Sequence, residues 1–400
     1  MELITDTIHR YRQLYQEDPE VIVTAPGRIN LIGEHTDYNS GYVLPIAIDR
    51  EIIIVAGPRI DEMLCLHSVD YQEDVRVPLS KNVFDERPMW PNYLKGVAYI
   101  LQQSGHRLRG ANICIRGNIP IAAGLSSSGA LETATTIALN YINKLELSLR
   151  DIILISQRAE SEFVGVLCGI MDQYVSVMGK KNHALFLDCR SLQSEYIPLE
   201  QNVQVIVCDT GIRRELTRSE YNQRRKECVN AVKELSLISD RIQSLRDVTV
   251  EDFQKYMDKL SAISRRRALH VITENERVLH SLTVLKRGNV AELGKYMTES
   301  HASLRDNYDV SCKELDVFVD IAVGTEGVFG ARMTGAGFGG SAICLVAEDK
   351  IDDLVERLRI EYPKYAGRSL TIYLPSSNDG ASVRFLKQSA DFVQLRELIQ

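Results

Sequence analysis

The sequence predicts a two-domain α+β protein, and three observations carry that expectation. Its 400 residues exceed what one ordinary core holds, so two domains or one large α/β body is expected. The texture changes after Arg213, where mixed strand and helix patterns give way to a largely helical stretch ending near Phe318. The last fifth then runs strand, helix, strand: GVFGARMTGAGFGGSAICLVAEDK, DLVERLRIEYPKY and SLTIYLP. That order suits a mixed or antiparallel sheet covered by helices. We place the boundary between residues 200 and 215 and divide the chain into 1–208 and 209–400. No internal repeat or flexible linker separates the halves, so a large shared interface is expected.

The earlier elements follow from local patterns. Thr5 to Gln16 has helical spacing of Ile8, Tyr11 and Tyr15, broken by EDPE. A strand is expected from Val21 to Thr24, followed by a long polar segment. AIDREIIIVAGPR and MLCLHSV read as strands of an antiparallel hairpin. WPNYLKGVAYILQQSG is an amphipathic helix ending at Gly105. ANICIRG alternates as a strand does, and Pro120 stops any continuation. SLRDIILISQRAESEFVG reads as one helix, and HALFLDCRS and VQVIVCDTG as two strands.

Composition excludes several classes. An apolar fraction of 44% and a charged fraction of 25% belong to a folded soluble chain. A net charge of -7 gives no general affinity for polyanions, so nucleic acid is not an expected partner. A single nucleotide needs only a local positive field. The eight cysteines form no CxxC pair, and several lie in apolar runs such as VIVCDT and AICLVA. They read as free thiols of a reducing compartment. MELITDTIHRYRQLYQ lacks the basic start and apolar centre of a signal peptide, and no apolar run is long enough for a bilayer. A cytoplasmic location with no membrane contact is therefore expected.

Four stretches are candidates for chemistry. In GNIPIAAGLSSSGALETATTIAL, Gly124 permits a tight path and Ser126, Ser127 and Ser128 lead into a helical pattern. Unpaired N–H groups at a helix start, with serine hydroxyls beside them, make a seat for an anion such as phosphate. An ordinary serine N-cap reads the same way. There is no lysine after the glycines, so a phosphate here needs backbone donors, hydroxyls and a metal ion. Ser128 is the hydroxyl placed for Mg²⁺, with Glu160 or Glu162 as the carboxylate co-ligand.

GRINLIGEHTDYN gathers Arg28, Asn30, Glu34, His35, Asp37 and Asn39 within twelve residues. Short donors and acceptors in that density suit a polyhydroxylated molecule. A metal site and a salt-bridged turn are its alternatives. CGIMDQ sets Asp172 at a helix start, either as a cap or as a base for phosphoryl transfer. TGAGFGG satisfies GxGxxG spacing through Gly335, Gly337 and Gly340, but a strand follows it. A dinucleotide site requires a helix there, so close backbone approach is the better account.

Together these segments resemble the galactokinases, within the GHMP superfamily of small-molecule kinases that includes homoserine, mevalonate and phosphomevalonate kinases. GRINLIGEHTDYNSGYVLP resembles the galactokinase signature, PIAAGLSSSGALE the ATP-phosphate loop, and ARMTGAGFGGSAICLV the third segment. WPNYLKGV, CGIMDQYVSVMG, HALFLDCRSL, SEYNQRRKEC and SHASLRDNYDVSCKELD follow in the family's order, from about Val21 to Val346. The resemblance implies a two-domain GHMP kinase fold. Its N-terminal sugar- and ATP-binding domain would be like the second domain of a small ribosomal-subunit protein, and its C-terminal domain ferredoxin-like, with the active site between them.

The resemblance also implies roles. Asp172 would face the sugar's reacting hydroxyl, with Arg28 beside it. Glu34, His35 and Asp37, with Gly169 and Tyr221, would contact sugar hydroxyls. Gly124, Leu125, Ser126, Ser127 and Ser128 would surround the ATP phosphates, Trp90 and Tyr93 the adenine, and Ser128 and Glu160 would hold Mg²⁺. The implied partners are ATP and D-galactose, the implied product is galactose 1-phosphate, and a monomer is expected with an oligomer left open. A kinase for N-acetylgalactosamine or arabinose, and a non-catalytic galactose sensor, are the rival readings. Gly129 stands where the family commonly has alanine, Ser40 occupies a variable position, and Arg214 replaces a common histidine.

Overall fold

The computed structural model describes residues 2–120, 123–212, 217–386 and 391–399. Arg214 lies outside these residues. In chain order the strands are β1 (Val21–Asn30), β2 (Tyr42–Val43), β3 (Pro45–Pro58), β4 (Met63–Ser68), β5 (Glu73–Pro78), β6 (Ala111–Gly117), β7 (His183–Asp188), β8 (Ser194–Pro198), β9 (Val203–Asp209), β10 (Val328–Met333), β11 (Ser341–Ala347), β12 (Thr371–Tyr373), β13 (Ser382–Phe385) and β14 (Val393–Gln394). The helices are α1 (Glu2–Tyr15), α2 (Pro91–Gln103), α3 (Ser127–Asn143), α4 (Leu149–Arg158), α5 (Met171–Met178), α6 (Thr217–Ser236), α7 (Val250–Tyr256), α8 (Ala262–Leu285), α9 (Val290–Ser303), α10 (Lys313–Val323), α11 (Ile351–Ala366) and α12 (Leu395–Leu398).

A seven-stranded sheet runs β14-β13-β1-β3-β6-β4-β5, a four-stranded sheet β10-β11-β9-β12, and a small one β2-β7-β8. The helix α3 crosses the first sheet behind β1 and β3. Every residue of it from Gly129 to Asn140 is buried, so ALETATTIAL shows no single apolar stripe, and Glu132 and its three threonines are buried with the rest. One core cluster fills the space between this sheet and α2 to α5, and it takes in Val278 and Leu285 of α8 and Met297 of α9. The second cluster surrounds the four-stranded sheet. The shared interface expected between the halves is therefore part of the first core.

Two expectations are corrected. β1 does not stop at Thr24 but continues to Asn30 through a register shift between Pro26 and Arg28. Proline has no N–H for the ladder, and a bulge accommodates it while re-aiming the next side chains. The β3 and β4 strands are not a hairpin: β6 lies between them, and β4 runs parallel to β6. Both strands have two buried faces' worth of apolar residues, so alternation could not reveal their partners. The division after residue 208 cuts β9, the strand that pairs with both β11 and β12. The chain also returns at its end, where β13 pairs with β1 and covers an otherwise open sheet edge. The four-stranded sheet thus begins at Val203, and residues 382–394 belong to the first sheet. Among the described residues all eight cysteines are free thiols, and no helix is long and apolar enough to cross a membrane.

Candidate active site

A cavity of about 840 Å³ lies where the serine loop, the bulged end of β1, the start of α5 and the TGAGFGG loop converge. Of the candidates named from the sequence, Arg28, Glu34, His35, Asp37, Trp90, Tyr93, Gly124 to Ser128, Glu160, Gly169, Asp172 and Tyr221 line it, and Asn30, Asn39 and Glu162 do not.

The bulge in β1 aims Arg28 at Asp172. Its Nε donates to Oδ1 and its Nη2 to Oδ2, each at 2.8 Å, while Nη1 donates to the Gly124 carbonyl at 2.8 Å. This fork matches a carboxylate in two places at once. Asp172 does not cap α5, since Ile170 occupies the N-cap position. Arg28 thereby ties together the strand, Asp172 and the serine loop, and its backbone N–H adds a bond to Leu125 O at 3.1 Å.

The serine loop is not an ordinary cap either. Ser126 holds the N-cap position with φ 63 and makes no side-chain cap bond. Its Oγ is buried without a hydrogen-bond partner. A glycine at 129 matters here: a Cβ there would lie 2.8 Å from Ser126 Oγ and 2.9 Å from Asp172 Cβ. The loop also packs backbone to backbone on the TGAGFGG loop, where a Cβ on Gly335 would meet Gly124 O at 3.0 Å. The strand β11 follows that loop, so its glycines serve close approach, as their sequence context implied.

Glu160 and Glu162 are told apart by helix geometry. The helix α4 ends at Arg158, and residues Ala159–Val164 form a π-helical turn. The wider turn sends Glu160 inward, 6% exposed, and leaves Glu162 at the surface paired with Arg158. Burial and the charge of Asp172 raise the Glu160 carboxyl, while hydrogen bonds from Ser128, Cys168 and Gln173 oppose the shift.

The neighbouring carboxylates differ sharply. Glu34, buried, accepts from Thr334 Oγ1 at 3.1 Å and Gly335 N at 2.9 Å on Oε1. Its Oε2 accepts from Asn30 Nδ2 at 2.6 Å and from Arg332. Asp37 is half-buried against Gly169, whose missing side chain leaves the space: a Cβ there would fall 2.0 Å from Asp37 Oδ2. Burial, then the charge of Asp172, raises the Asp37 carboxyl to about 6.

His35 stands in an aromatic cluster with Tyr308, Tyr221 and Tyr38, at ring separations of 4.7, 5.6 and 5.8 Å. Its Nε2 meets the Ala336 carbonyl at 3.2 Å, so that nitrogen carries the hydrogen. Nδ1 then accepts from Tyr38 Oη at 2.7 Å, which in turn meets Tyr308 Oη at 2.8 Å. Both nitrogens are engaged within the protein, so His35 shapes the wall. Burial pushes it down to about 3 and keeps it neutral. At the far end Trp90 donates Nε1–H to Glu73 at 2.8 Å and lies nearly parallel to Tyr71.

Among the described lining residues the charged side chains are Arg28 against Glu34, Asp37, Asp70, Glu160 and Asp172. An anionic phosphate chain meeting that set needs added positive charge. The described residues contain no group of three or more His, Cys, Asp or Glu able to hold a metal alone. One carboxylate, one hydroxyl and a ligand's phosphates are what Mg²⁺ commonly takes, so the Ser128 and Glu160 pair fits that ion.

Sequence reading missed Arg332, Glu132 and Gln173. Arg332 and Glu132 carried a usable signal, a charge inside an apolar strand or helix that must find a buried partner.

The galactokinase galactose-binding signature matches residues 9–58, and the GHMP kinase N-terminal and C-terminal domains match residues 92–180 and 281–364. A galactokinase of Roseiflexus sp. (strain RS-1) is 43% identical over 371 residues, covering 93% of this chain and 95% of its own. The chain belongs to the galactokinase family. A galactokinase family structure, that of Lactococcus lactis galactokinase complexed with galactose, superposes with a TM-score of 0.91 at 34% identity. It covers 95% of this chain and 99% of its own. The Methanococcus jannaschii mevalonate kinase, at 20% identity, shares the fold with a TM-score of 0.62, covering 90% of this chain and 99% of its own. The fold is that of the GHMP kinases, and nucleotide binding belongs to it.

Proposed function

We propose that the protein is a galactokinase, transferring the γ-phosphoryl group of ATP to the C1 hydroxyl of α-D-galactose and releasing galactose 1-phosphate and ADP. The carrying observation is the Arg28–Asp172 fork, set between a carboxylate-rich wall and a serine loop at a helix N-terminus. The galactose with which the Lactococcus lactis galactokinase is complexed and the signature at residues 9–58 support the sugar.

Asp172 accepts a hydrogen bond from the reacting hydroxyl and orients its oxygen, and takes the proton as transfer completes. Arg28 holds the Asp172 carboxylate in its two-point fork and faces the charge that spreads over the moving phosphoryl group. Asp37 and Tyr221 supply polar groups for other hydroxyls, and Gly169 gives backbone access beside Asp37. The backbone from Gly124 to Ser128 seats the phosphates at the N-terminus of α3, and Trp90 and Tyr93 frame the base. Ser128 and Glu160 would hold Mg²⁺, which would supply positive charge to the phosphates.

The test is ADP release over a panel of monosaccharides, with the product identified by phosphorus NMR. Turnover of galactose to an α-1-phosphate is expected; turnover confined to another sugar overturns the assignment.

A further inference from the structure

Glu132 has no part in the chemistry above. It lies four residues after Ser128 on α3, one turn deeper, and is 0% exposed. Among the described residues it forms no ion pair with an arginine or lysine. It lies against Gln173, also 0% exposed, the residue after Asp172 on α5, and its carboxyl also meets that of Glu160. The Gln173 Nε2 donates to Glu132 Oε2 at 3.0 Å and to Glu160 Oε2 at 2.8 Å. A side-chain amide has two N–H donors, and both are committed to carboxyl oxygens. Meanwhile Glu132 Oε1 and Gln173 Oε1 are buried with no partner. A core selected for stability alone replaces such a half-satisfied group with an apolar side chain.

The retained geometry has a direction. Successive residues on a helix point about 100° apart, so α5 sends Asp172 to Arg28 and Gln173 to Glu160. We propose that Gln173 and Glu132 are positioning residues for the divalent cation: Glu132 anchors the Gln173 amide, which holds the Glu160 carboxylate in the orientation that meets Ser128. This inference rests on the reading of Ser128 and Glu160 as cation ligands. It makes α5 the element that sets both halves of the site, the acid on one side and the metal ligand on the other.

The test is Mn²⁺ binding by electron paramagnetic resonance in the presence of ADP, beside galactose binding by calorimetry, on folded full-length variants. Glu160→Gln is expected to weaken Mn²⁺ at least tenfold. Gln173→Leu and Glu132→Leu are expected to weaken it about three- to tenfold, with galactose affinity within twofold of the parent. Glu132→Gln, which keeps an oxygen for the amide, is expected to stay within twofold for Mn²⁺. Should Glu132→Leu not fold, Gln173→Leu and Gln173→Met decide the question. Unchanged Mn²⁺ binding in the Gln173 variants, with a loss in Glu160→Gln, overturns the positioning role and leaves the ligand reading standing. Unchanged binding in Glu160→Gln overturns that reading itself. Parallel loss of galactose and Mn²⁺ in Gln173→Leu marks a general structural role and also overturns the proposal.

Discussion

The two walls of the cavity are held in opposite ways. On the sugar wall Glu34 has a donor at each of its lone-pair positions and both His35 nitrogens are engaged. On the phosphate wall Ser126 Oγ has no partner, and the Glu160 carboxyl is raised by burial beside the Asp172 charge. Each wall raises a carboxyl by burial beside the Asp172 charge, Asp37 on one and Glu160 on the other, but of the two only the second leaves a buried hydroxyl, Ser126 Oγ, without a partner. On the proposed roles, the sugar would meet a wall whose Glu34 and His35 are already held by the protein, whereas phosphate and cation would supply partners to the serine loop and Glu160.

Removing the joint between the walls has the largest expected effect. Arg28→Ala unties Asp172 and the Gly124 carbonyl together, and kcat/KM for galactose is expected to fall about 10³-fold or more. Loss under tenfold in a steady-state assay would show that the walls do not depend on this arginine.

Next comes the wall built on Glu34. Glu34→Gln removes the charge facing Arg332, which is 0% exposed. Breaking a buried pair on one side is expected to cost about 3 kcal/mol of stability in urea unfolding. Unchanged stability would mean that Arg332 has another adequate partner.

Asp37 gives a smaller effect with a defined sign. Its carboxyl is raised from 3.8 to about 6. An acid raised on folding adds stability below its unfolded value, and that contribution is lost as pH climbs through the folded value. Stability due to this group therefore falls between about pH 4 and 6. Asp37→Asn flattens that interval and is expected to be the more stable by about 1–2 kcal/mol at pH 7.5, allowing for solvent at a half-buried site. Its galactose affinity should drop, as calorimetry would show. An unchanged pH profile of stability contradicts the assignment.

The smallest effect is at the contact of the walls. Gly129→Ala gains up to about 1 kcal/mol of helix propensity. Its methyl presses on Asp172, so kcat is expected to fall a few-fold while the melting temperature holds or rises. A fall in melting temperature with unchanged kcat would reverse this reading.

Much of this was legible in the chain. The serine run, the polar cluster from Arg28 to Asn39, and Asp172 were visible because chemistry concentrates unusual residues locally, and the cavity gathers the serines, Asp172 and, from the cluster, Arg28, Glu34, His35 and Asp37. Glu160 could not be separated from Glu162 by spacing, since a π-helical turn changes which side faces in. The pairing of β6 between β3 and β4, and the return of β13 to β1, are long-range choices that local alternation does not encode. Gln173 stayed hidden for another reason: a glutamine beside an aspartate looks like any solvated pair until the helix direction is known.

The most direct measurement of the central claim is the separation of binding from turnover in Asp172→Asn. Asparagine keeps the shape but neither holds the charge that Arg28 faces nor accepts a proton. Calorimetric galactose affinity within about fivefold of the parent, with kcat lowered by about 10²–10⁴-fold, is the predicted result. Near-normal phosphorylation of galactose by this variant would contradict the account.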